Sequence, residues 1–219
     1  MAESLVSLPI IVVGGSGHAK VLVNALLLQQ RVVLGFVDPD QSLLSLLGVR
    51  RLGDDSEVFR HGADRIRLVN GVGSARSTEL RQAVYARFRE RHYIFETVIH
   101  PSASIAPNVQ AGEGLQVMAG AVVQTGTRLG ENVILNTGAI VDHDCILEDH
   151  VHVAPGVTVS GGVHLEQGVH VGTGASIIQG IRIGAGSIVG AGAVVLRDVP
   201  PGVTVIGVPA RELVKADQS

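Results

Sequence analysis

Two stretches of this chain carry residue types that could do chemistry. Near the N-terminus, Gly14-Gly15-Ser16-Gly17-His18-Ala19-Lys20 lies between the apolar run Pro9–Val13 and the Leu- and Ala-rich segment Val21–Gln30. A Gly-rich turn leading from a strand into a helix offers backbone N–H groups at the positive end of the helix dipole, which suits phosphate. His18 and Lys20 add polar side chains beside the turn. Asp38, in Phe36-Val37-Asp38-Pro39-Asp40, could bond a nucleoside. The turn lacks the third glycine of the dinucleotide fingerprint, because Lys20 stands where G-x-G-x-x-G would close. A tight turn with purely structural glycines therefore stays open. The second stretch is rich in histidine, with His143, His150, His152, His164 and His170 close together. Imidazoles exchange protons near neutral pH or bind metal.

The elements that must hold these groups follow from pattern. Pro9–Val13 reads as a buried parallel strand, Val21–Gln30 as a helix and Arg31–Val37 as a second strand. Arg65–Asn70 looks like a third strand. A small turn, Gly71-Val72-Gly73-Ser74, and an amphipathic helix over Ala75–Arg89 follow it. Residues 1–97 are thus expected to form a small three-layer α/β, Rossmann-like domain.

From Ile99 the period changes to six. Sixteen steps of six lead from Ile99 to Val195, so there are seventeen hexads without insertion. The first place of each hexad is a branched aliphatic, Ala111 excepted. The fourth place is Gly in eleven hexads and Asn or Asp in four, residues that tolerate positive φ and so build a corner. This is the arithmetic of a parallel β-helix with three hexads per coil, in which residues 18 apart stack. First-place side chains are expected to point inward in every hexad, and the fifth place carries a second small or apolar residue. Cys145 is at a fifth place, which makes it a buried apolar residue and not a nucleophile. His143 occupies an outward third place, with Thr125 and Gly161 directly below and above it. Thr173 and Ala191 are third-place residues 18 apart, stacked along one edge. His164 and His170, at sixth places, read as surface residues.

Composition sets bounds. The chain has 219 residues and net charge −3, with no basic stripe, which argues against nucleic acid as a partner. One cysteine rules out an internal disulfide framework. No apolar run reaches membrane-spanning length and there is no signal-peptide layout, so a cytoplasmic protein without membrane insertion is expected.

GGSGHAK, FVDPD, NTGAIVDHDCILEDHVHVAPG and IGVPAR together resemble the NeuD/PglD-like acetyltransferases, hexapeptide-repeat enzymes that acetylate sialic acid or nucleotide-linked amino sugars. The resemblance covers nearly the whole chain. Related members include perosamine N-acetyltransferases, which act on a GDP-linked 4-amino-4,6-dideoxy sugar. It implies a left-handed parallel β-helix over residues 98–211, a homotrimer, and acetyl-CoA as cosubstrate with no permanently bound cofactor, while the terminal position of residues 212–219 makes them an expected loose tail. By motif, His143 resembles the general base and Asp144 its acidic neighbour, a position where many relatives have Glu. His152, Thr173 and Ala191 resemble acetyl-CoA contacts. Ser16, Gly17 and His18 match the nucleotide-sugar turn, with Asp38 and Pro39 as a second contact and Asn136 as a further substrate contact. In such a site the Gly161 N–H is expected to bond the thioester carbonyl oxygen as charge develops. Metal is the competing chemistry: γ-class carbonic anhydrases use this prism with zinc-binding histidines, but they need two His five residues apart, and no pair here has that spacing. O-acetylation of a sugar such as sialic acid, or a non-catalytic assembly that binds nucleotide sugars, remains open at this point.

Overall fold

The computed structural model describes residues 7–74 and 77–213. In the N-terminal domain, strand β1 (Ile10–Val13) leads through the Gly-rich turn into helix α1 (Gly17–Leu28), followed by strand β2 (Val33–Val37). A hairpin of β3 (Ser45–Leu46) and β4 (Val49–Gly53) comes next, then a 3₁₀ turn (Asp55–Arg60), β5 (Arg67–Asn70) and helix α2 (Glu79–Arg89). The strands form one sheet in the order β3-β4-β2-β1-β5. All four β1 residues are buried because helices cover both faces of the sheet. Alternation then divides them. Ile10 and Val12 pack with Leu22, Val23 and Leu26 of α1, while Ile11 and Val13 pack with Val58, Phe88, Tyr93 and Phe95. The chain leaves β1 toward β2 on one side and later places β5 on the other. The loops after β1 and β5 therefore flank a crevice at the strand ends, the usual ligand position in open α/β sheets.

Two departures from the expected elements matter here. Helix α1 begins at Gly17 rather than Val21, which puts His18 and Lys20 in its first turn. The β3–β4 hairpin, which lacks any strong alternation, extends the sheet by two strands.

Residues from Val98 onward form a prism with three parallel faces, each built of two-residue strands. The register is the one the hexads require: Val141 pairs with Val159, and Val159 with Ile177, each 18 residues on. The first face runs Val98–Ile99, Gln116–Val117, Ile134–Leu135, His152–Val153, His170–Val171 and Ile188–Val189, and Thr204–Ile206 extends it. Corners turn at the fourth place with φ near +70°, for instance at Gly126 (75°) and Gly156 (68°). Asn132 (54°), Asp144 (58°) and His150 (65°) adopt the same conformation without being glycine. The core is one column of first- and fifth-place aliphatics, with Cys145 fully buried among them.

The inward ladder does not hold in the first coil. Ile99 and Ala111 are exposed and Ile105 only half-buried, because no coil lies beneath to close that end. At the other end, Glu212 pairs antiparallel with Val205, so the segment expected to be loose begins as a strand. Residues 214–219 of that segment lie outside the described residues.

The two domains share an interface. Val98 and Met118 of the first face join the core under α1. Helix α2 docks on the edge formed by Gly114, Asn132, His150 and Gly168. Thr78 Oγ1 donates to the Gly168 carbonyl (3.0 Å), Tyr85 Oη donates to Glu131 (2.9 Å), and the buried Arg81 Nη1 donates to the Asn132 carbonyl. A Cβ on Gly168 would stand 2.8 Å from Gln82 Nε2, so two elements meet closely there.

Val159 is fully buried in the middle of the Val141–Val159–Ile177 ladder. Val159→Asp would place an unpaired carboxylate there and is expected to cost about 3–5 kcal/mol. Thermal unfolding should show the midpoint falling by roughly 10 °C. An unchanged midpoint would refute the inward assignment.

Candidate active site

The crevice at the strand ends is a trough. Its inner cavity, about 290 Å³, is lined by Gly15, Ser16, Asp38 and Pro39 together with Asp55, Val72, Leu80 and Val84. Ser16 and Val72 also line an adjoining cavity of about 410 Å³, whose other walls are His18, Gly73, Ser74, Asn136 and His152. The turn is fixed by Asp38. Its Oδ2 accepts the Gly15 N–H (2.6 Å) and its Oδ1 the Asp40 N–H (2.8 Å). A side chain at Gly15 would press on Phe36 and Leu43, which is a packing requirement. At Gly17 a Cβ would meet nothing within 4 Å, so the first turn of α1 stands open to the trough. Ser16, at the N-cap position, makes no side-chain cap and donates its hydroxyl to the Gly71 carbonyl (3.3 Å), linking the two loops.

The structure brings Ser16, His18, Asn136 and His152 together in the second cavity. His18 Nε2–H donates to Gln116 Oε1 (2.7 Å), and Gln116 Nε2 donates to the Asn70 carbonyl (2.7 Å). Asn136 Nδ2 donates to His152 Nε2 (3.3 Å), which leaves His152 Nδ1–H to donate to Ser74 Oγ. Desolvation pushes the His18 pKa down to about 4, and burial pushes His152 well below its ordinary value. Both rings are neutral at pH 7. His170 was expected at the surface. It is buried instead, packed edge-on against His152 at 4.9 Å between ring centroids, because the N-terminal domain covers this face. His164 is half-buried, with Nε2 2.7 Å from Glu148 Oε1.

His143 lies on a different edge. Corner residues stack there as Thr125–His143–Gly161: Asp144 N–H donates to the Thr125 carbonyl (3.0 Å) and Gly162 N–H to the His143 carbonyl (2.8 Å). His143 Nδ1–H donates to Asp144 Oδ2 at 2.9 Å, so Nε2 holds the free lone pair. That bond raises the His143 pKa above its ordinary value, with Asp142 adding to the effect. Desolvation opposes the Asp144 bond without cancelling it, and the ring is 48 % exposed. Two glycines make room for the pair. A Cβ on Gly161 would lie 2.5 Å from His143 Nε2, and one on Gly126 would collide with the Asp144 carboxylate. Among the described residues the Gly161 N–H has no acceptor. Cys145 beside them is buried, its Sγ donating to the Ser160 carbonyl (3.2 Å), and desolvation raises its pKa.

Thr173 and Ala191 stack with Thr137 and Pro155 on a third alignment, the edge that follows the first face. His152, grouped with them from sequence, sits on that first face at the trough wall. Within one chain, then, the trough borders the Thr173–Ala191 edge, and His143 belongs to neither. Sequence reasoning passed over Ser74, Gln116, Asp55 and Gly126. The first three have no motif of their own, and Gly126 is indistinguishable from the other corner glycines.

Residues 9–88 match the family model described as the PglD N-terminal domain, and residues 126–161 match bacterial transferase hexapeptide (six repeats). A His-to-Asn mutant of perosamine N-acetyltransferase from Caulobacter crescentus, solved with CoA and GDP-perosamine, is 38 % identical. The match covers 94 % of this chain and 97 % of that one, with a TM-score of 0.88. The acetyltransferase domain of PglB from Neisseria gonorrhoeae, solved with acetyl coenzyme A, is 33 % identical over 94 % of this chain and all of that one, TM-score 0.89. WeeI from Acinetobacter baumannii is 28 % identical over the same shares, TM-score 0.82. No curated protein sequence matches the chain. A chain that matches both family models and is similar to these proteins over 94 % of its length, two of them at more than 30 % identity, belongs to the NeuD/PglD-like family of hexapeptide-repeat sugar acetyltransferases.

Proposed function

We propose that this chain transfers the acetyl group of acetyl-CoA to the 4-amino group of a nucleotide-linked 4-amino-4,6-dideoxyhexose. The observation that carries the reading is the exposed His143 imidazole, held by Asp144 through Nδ1 with Nε2 free above Gly161. The nucleoside would occupy the inner cavity, with Asp38 and Pro39 at its wall. The diphosphate would lie over Ser16 and Gly17 at the helix N-terminus, and the sugar would reach His18, Asn136 and His152. Thr173 and Ala191 offer an edge along which pantetheine could run, with His152 at its border.

The neutral amine attacks the thioester carbonyl, forming the C–N bond, and the carbonyl electrons move to oxygen. The Gly161 N–H is suited to hold that oxyanion. His143 Nε2 takes the amine proton. The intermediate collapses as the C–S bond breaks, and the CoA thiolate leaves and can take the proton from the imidazolium. Holding amine and thioester together supplies the rest of the acceleration.

His143 and the trough lie on different edges of one prism, so the reaction calls for a neighbouring copy. We infer a homotrimer in the cytoplasm, with His143 of one chain facing the trough of the next. Light scattering should give about three times 22.8 kDa. Co-assembling His143→Ala chains with Gly17→Val chains, each expected to be impaired alone, should raise activity above that of either, since some interfaces then hold an intact pair. No recovery in mixed assemblies would place each site within one chain.

His143→Ala should lower kcat by about 10²–10⁴-fold. Wild-type kcat/KM should rise with pH as the His143 imidazolium and the substrate ammonium lose protons. The Asp144 hydrogen bond raises the His143 pKa, so Asp144→Asn should move the His143 inflection to lower pH and cost less than removing the ring. Full activity of His143→Ala across pH 6–9 would remove His143 from the mechanism.

Gly161→Ala tests the floor beneath the ring. Its methyl would displace the imidazole, so kcat should fall about tenfold or more while the melting temperature and the KM for sugar nucleotide hold. An unaffected kcat would show that the ring need not lie where it does.

A further inference from the structure

The inner cavity of the trough has a polar feature that neither the Gly-rich turn nor His143 accounts for. Its walls are apolar, formed by Val13, Val37, Pro39 and Val84, as suits the faces of a flat ring. Two carboxylates reach it. Asp38 is committed to the turn, with one oxygen on the Gly15 N–H and the other on the Asp40 N–H. Asp55, in the first position of the 3₁₀ turn, is held from outside the cavity by an ion pair from Arg87 of α2 to its Oδ2. Its Oδ1 has no hydrogen bond among the described residues.

We propose that Asp55 makes this cavity selective for guanine, so that the acceptor is a GDP-linked sugar. This rests on the nucleotide-sugar reading above. A carboxylate is an acceptor only, with about four lone-pair positions on two oxygens. Guanine presents two adjacent donors on one edge, N1–H and N2–H, which match both carboxylate oxygens. Arg87 still has room on Oδ2. Uracil presents carbonyl, N3–H and carbonyl in that order, so a carboxylate that accepts from N3–H meets a carbonyl lone pair beside it. Adenine and cytosine each offer one donor next to a ring nitrogen acceptor and suffer the same mismatch. The ion pair with Arg87 fixes the orientation of the carboxylate, whose oxygens offer lone pairs where such a carbonyl would lie. The apolar walls contribute affinity for any base. The Asp55 oxygens decide which one.

An amide in place of the carboxylate reverses the logic. Asp55→Asn keeps the shape but turns one acceptor into a donor, which opposes the N1–H and N2–H pair of guanine and complements the N3–H and carbonyl pair of uracil. Calorimetry on the full chain with GDP and with UDP reads this without requiring turnover. Wild type should bind GDP about 10–100-fold more tightly than UDP, the range that a good two-bond base contact discriminates. Asp55→Asn should bring the two Kd values to within a few-fold of each other or invert them, with acetyl-CoA binding unchanged. Wild-type preference for UDP would overturn the inference whatever the variant does. So would equal weakening of both nucleotides in Asp55→Asn, which would mean that the carboxylate holds the shared ribose. Binding of neither nucleotide to the wild type would instead overturn the nucleotide-sugar reading, and this inference with it.

Discussion

The prism depends on one backbone requirement, a left-handed residue at the fourth place of every hexad from the corner at Gly114 to that at Gly192. Glycine meets it without a Cβ penalty, which is why eleven hexads carry glycine there. Once the corner is fixed, the first and fifth places face inward and carry aliphatic or small residues, Thr127 and Ser187 among the latter. Polar groups fall at the corners, at the sixth place and at the second place, as with Asn136 and Asp142. Asp144, at φ +58°, departs from glycine at such a corner and gains the position beside His143. Its short side chain is among those that tolerate the left-handed region best. The shortness also answers a question of reach: Oδ2 still closes on His143 Nδ1 at 2.9 Å.

The same corners explain how the small α/β domain is seated. On the edge facing α2, Asn132 and His150 replace glycine, and their side chains bond each other at 2.9 Å. Arg81 inserts its guanidinium against the Asn132 carbonyl, fully buried, and desolvation lowers its pKa to about 9. Asn70, at the end of β5, donates to the Arg81 carbonyl (3.0 Å) and to Asn132 Oδ1 (3.3 Å). The loop that begins at Gly71 therefore starts from a buried, bonded platform. Glycine at Gly114 and Gly168 serves this docking as well as the turn, since a Cβ at either would press on the N-terminal domain. Burial at this interface also holds His18 and His152 neutral, with the nearby Arg81 charge acting in the same direction. Neutral rings can both donate and accept hydrogen bonds and add no positive charge to the trough.

How much was legible in the sequence follows from which forces act within one period. The register, the corners, the burial of Cys145 and the stacking of His143 on Gly161 are all consequences of six-residue arithmetic, and they could be read directly. The Gly-rich turn was legible as a strand-to-helix junction, although the helix begins at Gly17 because Ser16 already has extended dihedrals. What could not be read are contacts that period does not govern. His170 is a sixth-place residue like Arg128, which is exposed, and only the docked domain makes it buried. Ser74 and Gln116 acquire their roles by meeting His152 and His18 across that interface. The β3–β4 hairpin escaped because Ser45 and Arg50 are ordinary turn and surface residues whose pairing is set by the neighbouring β2.

Placement of the reacting groups is itself a matter of remainders. Residues on one edge differ by multiples of 18, and Thr137, Pro155, Thr173 and Ala191 satisfy that among themselves. His143 differs from Thr173 by 30, which leaves it one edge away. Inserting a whole coil between them would preserve the relation, whereas inserting a single hexad would rotate every later residue to another edge. The unbroken run of seventeen hexads therefore fixes more than a core. It sets which edge carries His143 and which borders the trough, and so, under the proposed shared site, the orientation in which a second chain would approach. A close-packed interior of stacked aliphatics has little freedom to twist, so that orientation is inherited rigidly from the hydrogen-bonded ladder. On that proposal, assembly and catalysis are two readings of the same period.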